Sequence, residues 1–105
     1  DWTVAGQKGG LSLVAKSAGD TSLTIILYTA DGNFSAKADI DTGWTRSDIP
    51  LTEFKNKEGK KFDVNKHMLQ KMEIRPARSA VSTTLFIDEI GLAQNVTGRK
   101  QDKLK

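Results

Sequence analysis

Trp44-Thr-Arg-Ser-Asp-Ile-Pro-Leu-Thr-Glu-Phe54 is the stretch that decides the fold. It opens as an extended segment and meets Pro50, which lacks a backbone donor and drives Ile49 toward extended geometry, so a strand is expected to end there. Leu51 and Phe54 then stand three residues apart, the spacing that sets two apolar side chains on one side of a helical turn. A strand that closes into a small apolar lid is suited to plugging the end of a β-sandwich.

The flanks carry a period of two. Leu11, Leu13 and Ala15 alternate with Ser12, Val14 and Lys16, the pattern of a strand. After a turn at 17–21, Leu23, Ile25 and Leu27 oppose Thr24, Ile26 and Tyr28; both rows are fairly apolar, which predicts a strand inside a sheet rather than at its edge. Ala30-Asp31-Gly32-Asn33 is a hairpin turn, because Asp-Gly tolerates the positive φ such turns require. Phe34, Ala36, Ala38 and Ile40 alternate with Ser35, Lys37, Asp39 and Asp41, a strand with one wet face whose small alanines imply a bulky neighbour above them.

Beyond Phe54, residues 55–61 read as a lysine-rich loop around Gly59, and 62–69 hold a short helical turn with Asp63 as its cap. Gln70, Met72 and Ile74 alternate with Lys71, Glu73 and Arg75 until Pro76; 77–83 is a loop, and 84–92 is read as the final strand. Six or so strands with short turns and hardly any helix predict an all-β chain folded as an antiparallel β-sandwich. Residues 1–93 make that domain, and 94–105 are expected to be a basic linker or tail.

The chain has 105 residues, the size of one domain with one core. It has no Cys, which excludes disulfides and thiolate metal sites. No apolar run approaches the roughly 20 residues that span a bilayer, and a membrane partner is not expected. Asp1, with no initiator Met and no leader, reads as a mature terminus or the start of an excised fragment. The formal charge of +3 lies in residues 98–105, where Arg99, Lys100, Lys103 and Lys105 face Asp102 alone; the remainder holds twelve residues of each sign. A solvated tail accounts for that excess. Nucleic acid is not expected as a partner, because a binding groove interleaves basic residues with aromatics and the tail has none.

Trp44, Ile49-Pro50-Leu51 and Phe54, together with Phe86-Ile87-Asp88-Glu89-Ile90-Gly91-Leu92, resemble the jelly-roll, galactose-binding-like superfamily. That superfamily includes carbohydrate-binding modules appended to polysaccharide-degrading enzymes and the domain of complex I intermediate-associated protein. The resemblance runs from about Leu11 to Leu92. It departs in one respect: such domains carry further N-terminal strands, and only residues 2–5 could supply one here. The resemblance implies a jelly roll that lacks N-terminal strands, and a secreted or periplasmic bacterial protein. It implies a module that holds polysaccharide or oligosaccharide without cutting it, attached to the catalytic domain of a glycoside hydrolase or polysaccharide lyase.

Asp88 shares a strand row with Phe86, Ile90 and Leu92, and a carboxylate on a buried row needs hydrogen bonds, a cation or a metal. Backbone hydrogen bonds or a salt bridge are preferred for it. The resemblance implies the other reading, a structural calcium with oxygens from Asp88 or Glu89; no other cofactor is expected. Trp44 is expected in the core as the plug, and Trp2 is undecided between stacking and burial. Tyr28 points away from the Leu23-Ile25-Leu27 row and is either a stacking platform for a sugar ring or a boundary tyrosine with a wet hydroxyl. Lys37 with Asp39, Arg46 with Asp48, Lys71 with Glu73 and Arg75, and Arg78 populate the outward rows. If those strands share one sheet they form a polar groove with Tyr28, and its arginine forks suit an anionic polysaccharide. The expected carbohydrate contacts are therefore Tyr28, Lys37, Arg46, Arg75 and Arg78. His67, the single histidine, is expected at the surface; it cannot anchor zinc alone, and no nucleophile motif accompanies it. The rival readings are a structural domain packed beside a catalytic barrel, a protein-interaction domain and a small hydrolase.

Overall fold

The computed structural model describes residues 9–76, 85–93, 96 and 98–104. Seven strands run in chain order: β1 Gly10–Ser17, β2 Thr21–Thr29, β3 Gly32–Ile40, β4 Thr45–Pro50, β5 Leu69–Pro76, β6 Leu85–Ala93 and β7 Lys100–Lys103. They form two antiparallel sheets, ordered β6-β1-β4-β7 and β3-β2-β5. The all-β sandwich expected from the period-two rows is the fold. Leu11, Leu13 and Ala15 from one sheet meet Leu23, Ile25, Leu27, Phe34, Ala36, Ala38 and Ile40 from the other in a single buried cluster. Each strand contributes alternate residues because successive side chains point to opposite faces.

The 44–54 stretch behaves as its composition dictates. β4 ends at Pro50, Leu51–Glu53 is one 3-10 turn, and the Phe54 N–H donates to the Leu51 carbonyl at 3.1 Å. Leu51 and Phe54 are both buried. Trp44 differs from expectation: it lies just ahead of β4, is half-buried, and carries the Lys16 ammonium 4.9 Å from its ring centre. The same ammonium lies 5.4 Å from the Phe86 ring. Phe54 instead, with Phe34 and Phe62 in edge-to-face contact at 5.6 Å, closes the core at the other end of β4, beyond Pro50.

β2 is central, as its two apolar rows imply, and the Ala30-Asp31 turn delivers Gly32 at φ 117°, where a Cβ would be strained. The 62–69 segment is a hydrogen-bonded turn without a helix; the Asp63 carboxylate still accepts the Asn65 N–H at 2.9 Å. Residues 77–83 and Trp2 lie outside the described residues.

Two further expectations fail. Residues 100–103, expected in a tail, form β7 against β4. Lys-Gln-Asp-Lys has no apolar period, so the strand is held by polar contacts that a hydrophobicity pattern cannot reveal. The edge of β3 explains it. Ser35, Lys37 and Asp39 turn their free backbone groups away from β2, and each finds a partner. Ser35 pairs with Lys55, Arg99 Nη1 donates to the Lys37 carbonyl at 2.6 Å, and Gln101 Nε2 donates to the Asp39 carbonyl at 2.6 Å. Arg99 is also paired with Glu53 and Lys103 with Asp41. An open strand edge is an aggregation hazard, and here the C-terminal segment covers it.

Asp88 is the second. β6 pairs Val14 with Glu89 but Ala15 with Ile87, so Asp88 is the extra residue of a bulge. The bulge inverts the alternation beyond it, bringing Ile87 into the inward register and Phe86 opposite Lys16 on the outer face. Asp88 is exposed and needs none of the partners that burial would demand.

Candidate functional site

The outer face of the β3-β2-β5 sheet brings three of the expected contacts together. Its cross-strand rows follow from the register. Asn33, Tyr28 and Lys71 form one; Ser35, Ile26 and Glu73 the next; then Lys37, Thr24 and Arg75. Tyr28, Lys37 and Arg75 thus share one polar surface with a strip of apolar area at Ile26. Arg46 does not belong to it. Opposite Val14 on β4, it lies on the outer face of the other sheet and pairs with Asp48 at 3.3 Å. Period-two alternation gives the face of a strand but not which sheet receives it, so the grouping of Arg46 with Tyr28 fails. Arg78 lies outside the described residues.

Tyr28 is half-buried and its hydroxyl is fully engaged. It donates to Glu73 Oε1 at 2.5 Å and accepts from Arg75 Nη2 at 3.3 Å, while Arg75 Nε donates to the same carboxylate at 2.9 Å. The Lys71 ammonium, directly across the strand pair, stands 5.1 Å from the ring centre. The ring thus faces outward, its hydroxyl is bonded to Glu73 and Arg75 rather than left to water, and a cation lies over its face. Glu73 and Lys71, placed by the sequence in the groove but not among its expected contacts, meet the Tyr28 hydroxyl and ring face respectively.

These contacts set the titration of the site. The hydrogen bond to Glu73, then loss of water and the negative charge of Glu73, raise the Tyr28 phenol above its usual 10.0. The Tyr28 hydroxyl and then Arg75 hold Glu73 below 4.5. Tyr28 contributes stability below pH 10, which is lost as pH rises through its raised value. Glu73 contributes above its ordinary value and loses that as pH falls through its lowered one. Tyr28 is the only tyrosine, so phenolate absorbance of the folded chain titrates one group. Its midpoint is expected above 10.0, and Glu73→Gln should return it toward 10.0. A wild-type midpoint at or below 10.0 would show that the Glu73 contact does not persist in solution.

A second hollow, of about 810 Å³, opens at the end of the sandwich between Asp20, Ser22, Asp39, Asp41, Gln101 and Lys103. The Asp41–Lys103 pair at 2.8 Å forms one wall, and the hydrogen bond from Lys103 followed by that from the Gly43 N–H lowers the Asp41 carboxyl below 3.8. The hollow has no aromatic floor. Among the described residues no three His, Cys, Asp or Glu side chains converge to hold a metal, and Asp88 and Glu89 are both exposed.

His67, expected at the surface, is partly covered. Its ring is half-buried, 4.6 Å from Phe34 and 5.8 Å from Phe62 between centres, and Nδ1 accepts the Asp63 N–H at 3.0 Å. The ring is part of the apolar closure beside Phe54.

Comparison with models of known families, with characterised proteins and with solved structures finds no match.

Proposed function

We propose that the chain is a non-catalytic carbohydrate-binding module, a jelly-roll sandwich of the galactose-binding-like kind, that holds a secreted polysaccharide-degrading enzyme to its substrate. The observation that carries this reading is Tyr28, an outward ring immobilised by Glu73 and Arg75 beside Lys37 and Lys71. An aromatic face suits the apolar face of a pyranose, and fixed charged groups around it hydrogen-bond sugar hydroxyls. Because the ring is already held, little side-chain entropy is lost on binding. A sugar stacked on Tyr28 displaces the Lys71 ammonium, which remains at the rim as a donor. Weak contacts of this kind are sufficient for a tethered module, which acts by raising local concentration.

Affinity electrophoresis through gels containing different polysaccharides tests the reading. Retardation by at least one polymer is expected, with Tyr28→Ala weakening it about tenfold, the scale of one aromatic stacking contact. A folded chain that no polysaccharide retards would eliminate the proposal. A second reading, a domain that packs against the rest of a larger protein, is favoured by Phe86 and Ile87. These lie on β6 at the sheet edge and are 47% and 41% exposed. Binding to a protein partner that Phe86→Ser abolishes, with no glycan retained, would favour it.

A further inference from the structure

The cations of the described chain divide sharply by their partners. Arg46, Arg75, Arg99, Lys100 and Lys103 each pair with a carboxylate, and Lys16 and Lys71 lie over aromatic rings. Of those left among the described residues, Lys37 stands on β3, while Lys55, Lys57, Lys60, Lys61 and Lys66 gather at one end of the sandwich, all exposed. Arg46 and Arg75, two of the arginines expected to read an anionic ligand, are thus already occupied, and the uncommitted charge among the described residues lies elsewhere.

The turn that carries those lysines is firmly built. Lys55 bridges to both Ser35 and Lys61; the Asn56 side-chain oxygen accepts the N–H groups of Glu58 and Lys60 at 3.0 and 2.9 Å; and Gly59 takes φ 83°. A cation array on a fixed turn loses little chain entropy when it meets a polyanion. Asp31 and Glu58 are interspersed, so the surface is a sequence of charges rather than a uniform patch. The turn also adjoins the Tyr28 face. The hollow beside Lys55 and Lys57 is lined by Asn33 and Ser35, the cross-strand neighbours of Tyr28 and Ile26. An extended chain lying on Tyr28 continues over Asn33 to the lysines.

We propose that the ligand of the Tyr28 face is an acidic polysaccharide whose carboxylate or sulfate groups are met by the lysine turn at 55–61; this rests on the carbohydrate-binding reading above. Lysines are compact point charges and suit anionic groups spaced along a flexible chain. Residues 55–61 hold no aromatic on which a base could stack, which disfavours nucleic acid.

The test is affinity electrophoresis at several salt concentrations, through polygalacturonate and its methyl ester, dextran sulfate and dextran. The proteins compared are the wild-type chain, Tyr28→Ala, and the triple variant Lys57→Ala, Lys60→Ala, Lys61→Ala, each checked for folding by circular dichroism. The wild type should be retarded by polygalacturonate or dextran sulfate, which also identifies the anionic group, and more weakly by the uncharged counterpart. Salt should weaken that retardation, and the triple variant should lose about tenfold, the scale of several exposed ion pairs. Equal binding of charged and uncharged polymers, a triple variant that behaves as the wild type, or equal retardation by duplex DNA would overturn the inference. Loss in Tyr28→Ala alone overturns the lysine assignment and spares the carbohydrate reading. Loss in the triple variant alone overturns the Tyr28 face as the binding surface.

Discussion

Phe54→Ala is expected to cost about 3–5 kcal/mol, the range for emptying a fully buried phenylalanine site. Phe54 has no exposed surface, and its neighbours cannot readily collapse into the space it leaves. The backbone on both sides is fixed: the Phe54 N–H bonds to Leu51, and its carbonyl accepts the Phe62 N–H at 2.7 Å. Phe34 and Phe62 are held against each other and against His67, so they too are poorly placed to refill the site. For a domain near this size about 1 kcal/mol moves the midpoint by roughly 4–8 °C, so the melting temperature should fall by roughly 15 °C or more. Urea or thermal denaturation checks it. Trp44→Ala is the informative comparison, because the half-buried indole should cost distinctly less. If Trp44→Ala proved the more damaging of the two, the indole and not Phe54 would be sealing the core.

That comparison marks where the sequence was legible. Pro50, the Leu51-x-x-Phe54 step and the alternating rows of β1, β2 and β3 each follow from local rules of backbone and burial, and the sandwich follows from them. Trp44 was misplaced because size and apolarity predict burial only on average. This indole precedes the strand and meets Lys16 and Phe86 at the surface. The bulge at Asp88 and the strand at 100–103 were illegible for a related reason. Each is fixed by a partner distant in the chain: β1 across from Asp88, and the open β3 edge beside Arg99 and Gln101.

The site was legible by face and not by sheet. Alternation placed Tyr28, Lys37 and Arg75 outward, but Arg46 is equally outward on the opposite layer. Nor does a sequence reveal which cations are already engaged. Arg75 serves to hold Glu73 and Tyr28, whereas the 55–61 lysines, read as an ordinary loop, have no described ion pair. Their organisation rests on Asn56, whose side chain closes the turn; Asn and Gly so close together were the available signal.

Gly10→Ala should destabilise by about 1–3 kcal/mol, despite being the smallest change available at that position. A Cβ there would lie 2.5 Å from the Ile49 carbonyl oxygen and 2.8 Å from Val96 Cβ. The Ile49 oxygen is backbone in the adjoining strand and has little freedom, because Leu11 pairs with Ile49 and the Leu51 N–H is bonded to the Gly9 carbonyl at 3.0 Å. Against this, removing a glycine stiffens the unfolded chain and stabilises by about 0.4–1 kcal/mol where the native site has room. The clash should win at Gly10 and be absent at Gly91, where a Cβ would meet nothing within 4 Å. Gly91→Ala is therefore expected to be neutral or mildly stabilising in the same denaturation experiment. Val96→Ala placed on Gly10→Ala should recover only a small part of the loss, since it removes the Cγ2 contact at 2.9 Å and leaves both the Cβ at position 96 and the Ile49 oxygen. Full recovery would mean that Val96, not the β1–β4 backbone approach, excludes a side chain from position 10; equal behaviour of Gly10→Ala and Gly91→Ala would remove the close approach altogether.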